Sequence, residues 1–271
     1  MAVPPTYGRT VIREEVRDGS IFWLTLDAPA SLNAFDPESM AGLARAWTRL
    51  RDDESLRVAV VTGAGERAFS VGSNLKTFIP RLQSGEMDPR ENQEAYMKGS
   101  LGPVFKPIVA AVNGDCLGGG MELLTCSDIR LSVPGARFGQ PECRWGVFPG
   151  GGGTVRLPRQ IPYVHAMDIL LTGRLLSAEE ARAMGVINRI VEPEQLEDEA
   201  LELARVIAGN GSLAVQRIKE AVWRRADLPL DEAYELESTL GEGVFRSDEA
   251  HEGLAAFAEK RDPAFRRSLV P

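Results

Sequence analysis

The stretch Ile108-Val109-Ala110-Ala111-Val112, followed shortly by Gly118-Gly119-Gly120-Met121-Glu122, decides the fold of this chain. A short apolar run bounded by glycine-rich turns is typical of a strand buried inside a sheet. The pattern recurs in Ile129-Arg130-Leu131-Ser132-Val133, with Phe138-Gly139-Gln140-Pro141-Glu142 after it. Because both segments leave a buried strand, we expect the carboxylates of Glu122 and Glu142 to lie at the same edge of one sheet.

The two carboxylates and the glycines beside them indicate acid–base chemistry on a carbonyl compound. Carboxylates facing one pocket can move protons, and bare backbone N–H groups can stabilise the enolate that forms when charge leaves Cα. Glycines 118–120 place such N–H groups at a helix start and leave room for a ligand oxygen. Burial in an apolar cleft would raise the carboxyl pKa values, so that one glutamate acts as an acid while the other stays a base.

Each of these features also has a structural explanation. The three glycines let a helix pack tightly against a strand, and Glu122 is favourable in the first turn of a helix. Glu142 could form an ion pair with Arg144 or Arg156. The two carboxylates together, beside a further glycine cluster at 150–153, favour the catalytic interpretation.

Composition bounds the class of protein. The chain has 271 residues, 44% of them hydrophobic and 26% charged, which predicts one globular domain with an appendage. A formal charge of −8 argues against a nucleic-acid or anionic-membrane partner, because either needs a concentrated basic face. Three cysteines without Cys-x-x-Cys spacing, and no signal peptide at Met1-Ala2-Val3-Pro4-Pro5, predict a cytoplasmic location. With only two histidines, we expect no histidine-rich metal site.

Periodicity predicts an α/β core with a helical C-terminal lobe, with the boundary between residues 195 and 196. Strands are expected at 21–26, 58–63 and 186–191, besides the two already quoted. Helices are expected behind the Asp36-Pro37 cap, around 164–171, and behind Ser177-Ala178-Glu179-Glu180, which has the form of a capping box. From about residue 195 only helical spacing recurs. The polar segment 78–102 has a weak pattern and predicts a mobile loop with a helix.

Two motifs suggest other functions. Gly63-Ala64-Gly65-Glu66-Arg67-Ala68 matches a loose dinucleotide fingerprint, but turn-like residues follow it instead of a helix, so a plain strand-exit loop is the better interpretation. Gly114-Asp115-Cys116-Leu117-Gly118 has the form of a nucleophile elbow, with Cys116 as nucleophile and His251 as a candidate base. A hydrolase built on that pair is one alternative. Cysteine is also a common small buried residue, and His251 lies in an amphipathic helical stretch.

An ordered set of motifs resembles the crotonase family, the enoyl-CoA hydratase/isomerase superfamily. The resemblance runs from about Ile21 to Phe265 and is most specific in four stretches and the chain's ending. These are residues 106–114 (KPIVAAVNG), 117–123 (LGGGMEL), 138–142 (FGQPE), 148–154 (FPGGGGT) and 256–261 (AFAEKR).

The resemblance implies an α/β spiral of ββα units followed by a helical trimerisation lobe, assembled as a homotrimer or as a hexamer built from two trimers. It also implies an acyl-CoA thioester substrate, with coenzyme A as part of the substrate and no separate cofactor. The implied oxyanion donors are the N–H groups of Ser73 and Gly119. Glu122 would activate water, Glu142 would exchange the proton at Cα, and Gly150 would help to hold the water. The implied contacts for coenzyme A are Ser31, Leu32, Asn33, Asn74, Leu75, Lys76, Phe257 and Lys260.

The chain departs from the family pattern at two positions. Asn74 stands where the family usually has Asp, which predicts a retained loop hydrogen bond with one charge fewer. Trp145 stands where a smaller aliphatic residue is common, which predicts a reshaped acyl pocket.

The resemblance, with both glutamates retained, predicts a reversible enoyl-CoA hydratase. Three alternatives besides the hydrolase stay open. They are double-bond isomerisation, dehydration of a specialised hydroxyacyl-CoA such as carnitinyl-CoA, and acyl-CoA binding without efficient turnover. We expect the far wall of the acyl pocket to come from residues 78–101, where the pattern does not fix the acyl group.

Overall fold

A six-stranded sheet forms the centre of the molecule. The structure is a computed structural model that describes residues 10–88, 93–98 and 102–265, so the Met1–Pro5 prediction lies outside the described residues. The sheet has the order β1-β2-β3-β5-β7-β9; the β1–β2 pair is antiparallel and the others are parallel. Its strands are β1 (Val11–Arg17), β2 (Ile21–Asp27), β3 (Val58–Gly63), β5 (Ile108–Val112), β7 (Ile129–Ser132) and β9 (Arg189–Ile190).

The predicted strands are confirmed, with two differences at the edges of the sheet. β2, β3 and β5 are almost entirely buried, as their continuous apolar runs predict. β1 was not predicted, because its sequence VIREEVR is charged and most of its residues are exposed, as suits an edge strand. The expected strand at 186–191 is reduced to β9, which pairs only through Arg189 and Ile190.

A second, smaller sheet carries the candidate site. Its three parallel strands are β4 (Ala68–Ser70), β6 (Asp115–Leu117) and β8 (Phe138–Gly139), and each follows a strand of the large sheet along the chain. This repetition of paired strands and helices matches the expected crotonase-like spiral of ββα units. Strands of two or three residues are too short to show a periodicity, so the sequence did not predict them.

The two helices with predicted caps begin where the sequence predicts them to begin. α1 (Pro37–Asp52) starts behind a capping box of Asp36 and Ser39, and α6 (Ala178–Ala183) behind the predicted box of Ser177 and Glu180. The expected helix around 164–171 is α5. The other helices are α2 (Leu75–Gln83), α3 (Gly119–Leu124), α4 (Gly153–Gln160), α5 (Tyr163–Thr172), α7 (Leu196–Gly209), α8 (Ser212–Arg224), α9 (Leu230–Phe245) and α10 (Asp248–Glu259).

The four helices after residue 195 differ in what they contact. α7 lies on β3 and β5 and buries Ala200, Ala204 and Ala208, so it covers the large sheet. α8, α9 and α10 pack on one another and leave several large apolar side chains exposed. The prediction of a helical C-terminal region is confirmed in its secondary structure.

The weakly patterned segment 78–102 has two described parts. α2 ends at Gln83, and a short 3-10 helix, Gln93–Tyr96, docks on α1 and α3. Ala95, Tyr96 and Met97 are buried there, although the surrounding sequence is polar. Residues 89–92 and 99–101 of the predicted pocket wall lie outside the described residues.

Candidate active site

Glu122 lies in the first turn of α3, directly after β6, and is 4% exposed. Its Oε1 accepts a hydrogen bond from the N–H of Gly153 at 3.0 Å, and the N–H of Gly151 donates to the same carboxylate. Burial raises the pKa of Glu122 to about 7; the two glycine N–H groups oppose that rise and the charge of Glu142 adds to it. The carboxylate is therefore held in one orientation and is poised to exchange a proton near neutral pH.

Glu142 lies in the 3-10 helix Pro141–Trp145, directly after β8. Its Oε1 faces Gly118, and its Oε2 is buried without a hydrogen-bond partner among the described residues. Burial also raises the pKa of Glu142, against a hydrogen bond from its own backbone. Since β6 and β8 are parallel neighbours, the two carboxylates lie at one edge of a sheet, as predicted, but the small sheet and not the large one presents them.

Ion pairing does not explain Glu142. Arg156 donates hydrogen bonds to the carbonyl oxygens of Gly151, at 3.0 Å, and of Tyr96. The side chain of Arg144 lies against Gly173, in the loop after α5. Neither guanidinium neutralises the carboxylate, and its raised pKa is the expected result.

Ser73 and Gly119, the two expected oxyanion donors, belong to backbone segments in direct contact. Gly72 has φ +83°, and a Cβ added there would overlap the Gly119 nitrogen. Within the described ranges, neither the Ser73 N–H nor the Gly119 N–H donates to a protein acceptor. Two unpaired N–H groups therefore lie beside two raised-pKa carboxylates, which is the arrangement that stabilises a developing enolate.

Tyr96 is a site residue that the sequence analysis did not single out. The Ser73 hydroxyl lies near enough to the phenol to lower its pKa, and the phenol oxygen lies where a Gly119 Cβ would come within 2.5 Å. Its ring lies against Gly151 and makes an edge contact with Phe35, with the ring centres 6.4 Å apart. One aromatic residue in a polar, weakly patterned segment was the only sequence signal.

The geometry agrees with the comparison to known families. The model of the enoyl-CoA hydratase/isomerase family matches residues 16–268. The chain belongs to this family. It is 41% identical to the enoyl-CoA hydratase EchA19 of Mycobacterium tuberculosis over 254 residues, covering 92% of this chain and 94% of the relative. It is 39% identical to the carnitinyl-CoA dehydratase of Salmonella arizonae over 256 residues, covering 92% and 96%.

A solved structure shows the same fold. The enoyl-CoA hydratase of Bacillus anthracis superposes with a TM-score of 0.86 at 32% sequence identity, over 94% of this chain and 98% of that one. The resemblance to the enoyl-CoA hydratase/isomerase family is thereby confirmed, both in sequence and in fold.

The residues expected to contact coenzyme A fall into two groups in this family member. Ser31, Leu32 and Asn33 form a turn after β2, in which Leu32 and Asn33 have positive φ. Asn33 is fully buried, and its side-chain amide donates to the carbonyls of Ala64, at 3.1 Å, and Ala68, at 2.7 Å. It therefore shapes the turn from inside.

The second group lies at the ends of helices. Asn74 caps α2, its side chain accepting from Lys76 N–H at 3.2 Å, so the expected loop hydrogen bond is retained. Leu75 and Lys76 follow it and are exposed. Phe257, 85% exposed, and Lys260 lie at the end of α10, which packs on α9 rather than on the elements that carry the glutamates.

Gly150 and Trp145, two further residues named from the sequence, are both exposed. Gly150 is exposed, and its carbonyl accepts from Lys98 Nζ at 2.9 Å. Trp145 is 69% exposed, so within one chain its ring points outward.

The hydrolase alternative is wrong. Cys116 is fully buried in β6, where burial raises the pKa of its thiol, and His251 is exposed on α10. A buried neutral thiol has neither the access nor the ionisation of a nucleophile. The Gly63–Ala68 motif is the loop between β3 and β4, as the plain interpretation predicts.

The described residues contain no cluster of three histidine, cysteine or carboxylate side chains placed to hold a metal ion. No helix among them is long and apolar enough to cross a bilayer.

Proposed function

We propose that the protein is an enoyl-CoA hydratase, which reversibly adds water across the Cα=Cβ bond of a 2-enoyl-CoA thioester. The observation that carries the proposal is the pair of buried Glu122 and half-buried Glu142, held beside the free N–H groups of Ser73 and Gly119. Hydration needs a base for water, an acid for Cα and hydrogen-bond donors for the thioester oxygen. This cleft holds two carboxylates for the first two tasks and two N–H groups for the third.

In the proposed mechanism the thioester oxygen accepts hydrogen bonds from the N–H groups of Ser73 and Gly119. Glu122 takes a proton from water, and the water oxygen forms a bond to Cβ. The electron pair of the Cα=Cβ bond moves towards the thioester, which places enolate charge on that oxygen. Glu142 then gives its proton to Cα. The reverse sequence removes water from a 3-hydroxyacyl-CoA.

The proton inventory of the cleft supports these roles. Two neighbouring carboxylates, one buried and one half-buried, repel each other and keep one proton between them to a higher pH than either would alone. Glu122 accepts two N–H groups, which favour its anion, whereas Glu142 Oε2 accepts none from the described residues. The proposed mechanism requires Glu122 to be ionised and the proton to lie on Glu142 when water adds.

Substrate contacts and water positioning are part of the proposal. The turn at residues 31–33 is bonded to the segment before Ser73, through the Val71 N–H and the Leu32 carbonyl at 3.2 Å, and the α2 start at residues 74–76 directly follows Ser73. Both segments suit a pantetheine chain. Lys76 is exposed, and its positive charge suits a phosphate group. Gly150 begins the glycine loop whose next residues donate to Glu122, so its N–H suits the attacking water. The coenzyme A belongs to the substrate, and the mechanism needs no other cofactor.

The exposed apolar side chains of the C-terminal helices suit an interface between subunits. Ile218 on α8, Phe245 on α9 and Leu254 on α10 are each more than half exposed. We propose that these helices form the interface of a homotrimer, or of a hexamer made of two trimers. Phe257 and Lys260 would then close over coenzyme A bound to a neighbouring subunit. The net charge of −8 and the reduced cysteines suit a cytoplasmic enzyme without a nucleic-acid or membrane partner.

Dehydration of a specialised hydroxyacyl-CoA is the second candidate, favoured by the similarity to a carnitinyl-CoA dehydratase. It uses the same two carboxylates in the reverse direction. Isomerisation needs a proton moved between carbons and no bound water, so one carboxylate would suffice.

Mass analysis of products from a panel of enoyl-CoA esters separates these functions. Hydration adds one water, isomerisation leaves the mass unchanged with a moved double bond, and hydrolysis releases free coenzyme A. We expect water gain with at least one ester, and loss of turnover in Glu142→Gln but not in the exposed control Glu194→Gln. Binding of CoA esters without any turnover would instead identify an acyl-CoA binder.

A further inference from the structure

The hydroxyl of Tyr96 lies beside both oxyanion donors. The Ser73 hydroxyl lowers its pKa and so lies near it, and only the absence of a Cβ at Gly119 leaves room for it. The residues that supply the two N–H groups therefore also border the phenol. A substrate oxygen bound to those N–H groups comes within reach of the phenolic hydrogen.

Several contacts hold Tyr96 in this position. The buried Trp47 donates from its indole nitrogen to the Ala95 carbonyl at 2.9 Å, and Arg156 donates to the Tyr96 carbonyl. The ring fits against Gly151, where a Cβ would come within 2.8 Å of it. Side-chain donors and close packing on the ring fix the phenol before any substrate arrives, which is the requirement for a preorganised donor.

The surroundings keep the phenol protonated. Burial, and then the charges of Glu122, Cys126 and Glu142, raise the pKa of Tyr96 well above its ordinary value, and the Ser73 hydroxyl opposes them. Tyr96 is therefore a neutral O–H group throughout the pH range in which the two glutamates exchange protons. A neutral phenol beside a developing oxyanion can only donate a hydrogen bond to it.

We propose that Tyr96 is a third hydrogen-bond donor to the thioester oxygen of the bound acyl-CoA. Ser73 takes part twice: its N–H binds the substrate oxygen, and its Oγ–H donates to Tyr96 Oη, which leaves the phenolic hydrogen free for the substrate. The proposal rests on the proposed function of the site. It assigns a catalytic role to a residue outside the glutamate pair and the two backbone N–H groups.

Loss of one oxyanion donor typically lowers kcat by about 10²–10³-fold. We expect Tyr96→Phe, which keeps the ring and its packing, to lower kcat about 10²-fold while butyryl-CoA binding stays within about threefold. Tyr163→Phe is the matched control. Tyr163 is 67% exposed, so this substitution removes a hydroxyl at the surface.

A spectroscopic measurement separates donation from a structural role. Butyryl-CoA labelled with ¹³C at the thioester carbonyl has no double bond and cannot be hydrated, so its carbonyl stretch reports polarisation without turnover. Wild type and Tyr163→Phe should lower that infrared frequency on binding, and Tyr96→Phe should lower it measurably less. Ser73→Ala, which keeps the backbone N–H, should have a smaller effect on the frequency in the Tyr96→Phe background than in wild type.

An unchanged carbonyl frequency in Tyr96→Phe overturns the proposal, even if kcat falls, because the tyrosine would then act only through packing. Failure of the proposed function has a different signature. If wild type hydrates no enoyl-CoA but its carbonyl shift still depends on Tyr96, the hydratase proposal fails and the third donor stands. If wild type binds no acyl-CoA at all, both are overturned.

Discussion

The N–H of Gly153 donates a hydrogen bond to Glu122 Oε1 over 3.0 Å, and this contact joins the start of α4 to the first turn of α3. Gly151 donates to the same carboxylate. Two loop N–H groups thus replace the water that a buried carboxylate would lose. They stabilise its anion without supplying a positive charge, so the pKa falls only part of the way back and remains about 7. The glycine loop therefore leaves Glu122 able to exchange a proton near neutral pH, as its proposed role as a base requires.

Gly151→Ala should disable this base without unfolding the protein. An added Cβ would overlap Glu122 Oε2 and would also press on the Tyr96 ring, so the carboxylate has to turn away from the water. We expect kcat to fall by about 10²-fold, as for a displacement of about 1 Å at a reacting group. Steady-state hydration rates measure the loss. Gly135→Ala is the control, since a Cβ there meets nothing within 4 Å; equal rates in the two variants would mean that the loop does not position Glu122.

Gly72→Ala should damage the oxyanion hole. Gly72 has φ +83°, and a Cβ would overlap the nitrogen of Gly119, which pushes the two donor segments apart. We expect a kcat loss of about 10²–10³-fold, the usual cost of one lost donor. Gly85→Ala is matched for backbone strain, with φ +76°, but its Cβ would meet nothing. If Gly85→Ala loses as much activity as Gly72→Ala, strain and not donor geometry explains the effect.

The raised pKa of Glu122 should appear in the stability of the protein. The folded-state value of about 7 lies above the ordinary 4.5, so unfolding releases a proton between these values. The free energy of unfolding contributed by Glu122 therefore falls as the pH rises from about 4.5 to about 7, by about 3 kcal/mol in total. Glu122→Gln lacks this contribution.

Denaturant unfolding of wild type and Glu122→Gln across that pH range measures the effect. The difference between their free energies should shift by about 3 kcal/mol in favour of Glu122→Gln as the pH rises. A difference that stays constant with pH would show that Glu122 titrates at its ordinary value in the folded protein.

Sedimentation should show a trimer or a hexamer that depends on the C-terminal helices. Phe245, on α9, is 78% exposed in one chain, and Phe245→Glu would place a charge in the proposed interface. We expect smaller species for that variant, because an unpaired buried charge is strongly destabilising. Val206→Glu on α7, where the valine is 57% exposed, should leave the assembly unchanged. A monomeric wild type would contradict the proposed interface.

The sequence predicted most strands of the large sheet and the capped starts of α1 and α6, because burial and capping leave local patterns. The continuous apolar runs of β3 and β5 and the capping residues Asp36 and Ser177 each specify their element without tertiary information. The edge strand β1 leaves no such pattern, since its partner covers it on one side only. The strands of the small sheet are too short to show a period in the sequence, so their parallel arrangement is seen only in the structure.

The site was predictable as far as its residues lie in glycine motifs. Glu122, Glu142 and Gly119 each lie in or after a glycine turn, and the sequence around each turn already indicates that a buried strand ends there. The contribution of Tyr96 could not be predicted from the sequence, because it depends on the docking of residues 93–98 between α1, α3 and the glycine loop. The direction of Arg156, away from Glu142 and towards backbone carbonyls, was equally a property of the fold.

The division of labour between the two glutamates is the central claim, and proton exchange at Cα tests it most directly. Butyryl-CoA in D₂O can lose and regain its Cα proton without any water addition, so the exchange needs Glu142 and the oxyanion donors but not the water base. Mass spectrometry of the recovered thioester should show deuterium uptake with wild type and with Glu122→Gln, and none above background with Glu142→Gln. Exchange that survives in Glu142→Gln and is lost in Glu122→Gln would contradict the account.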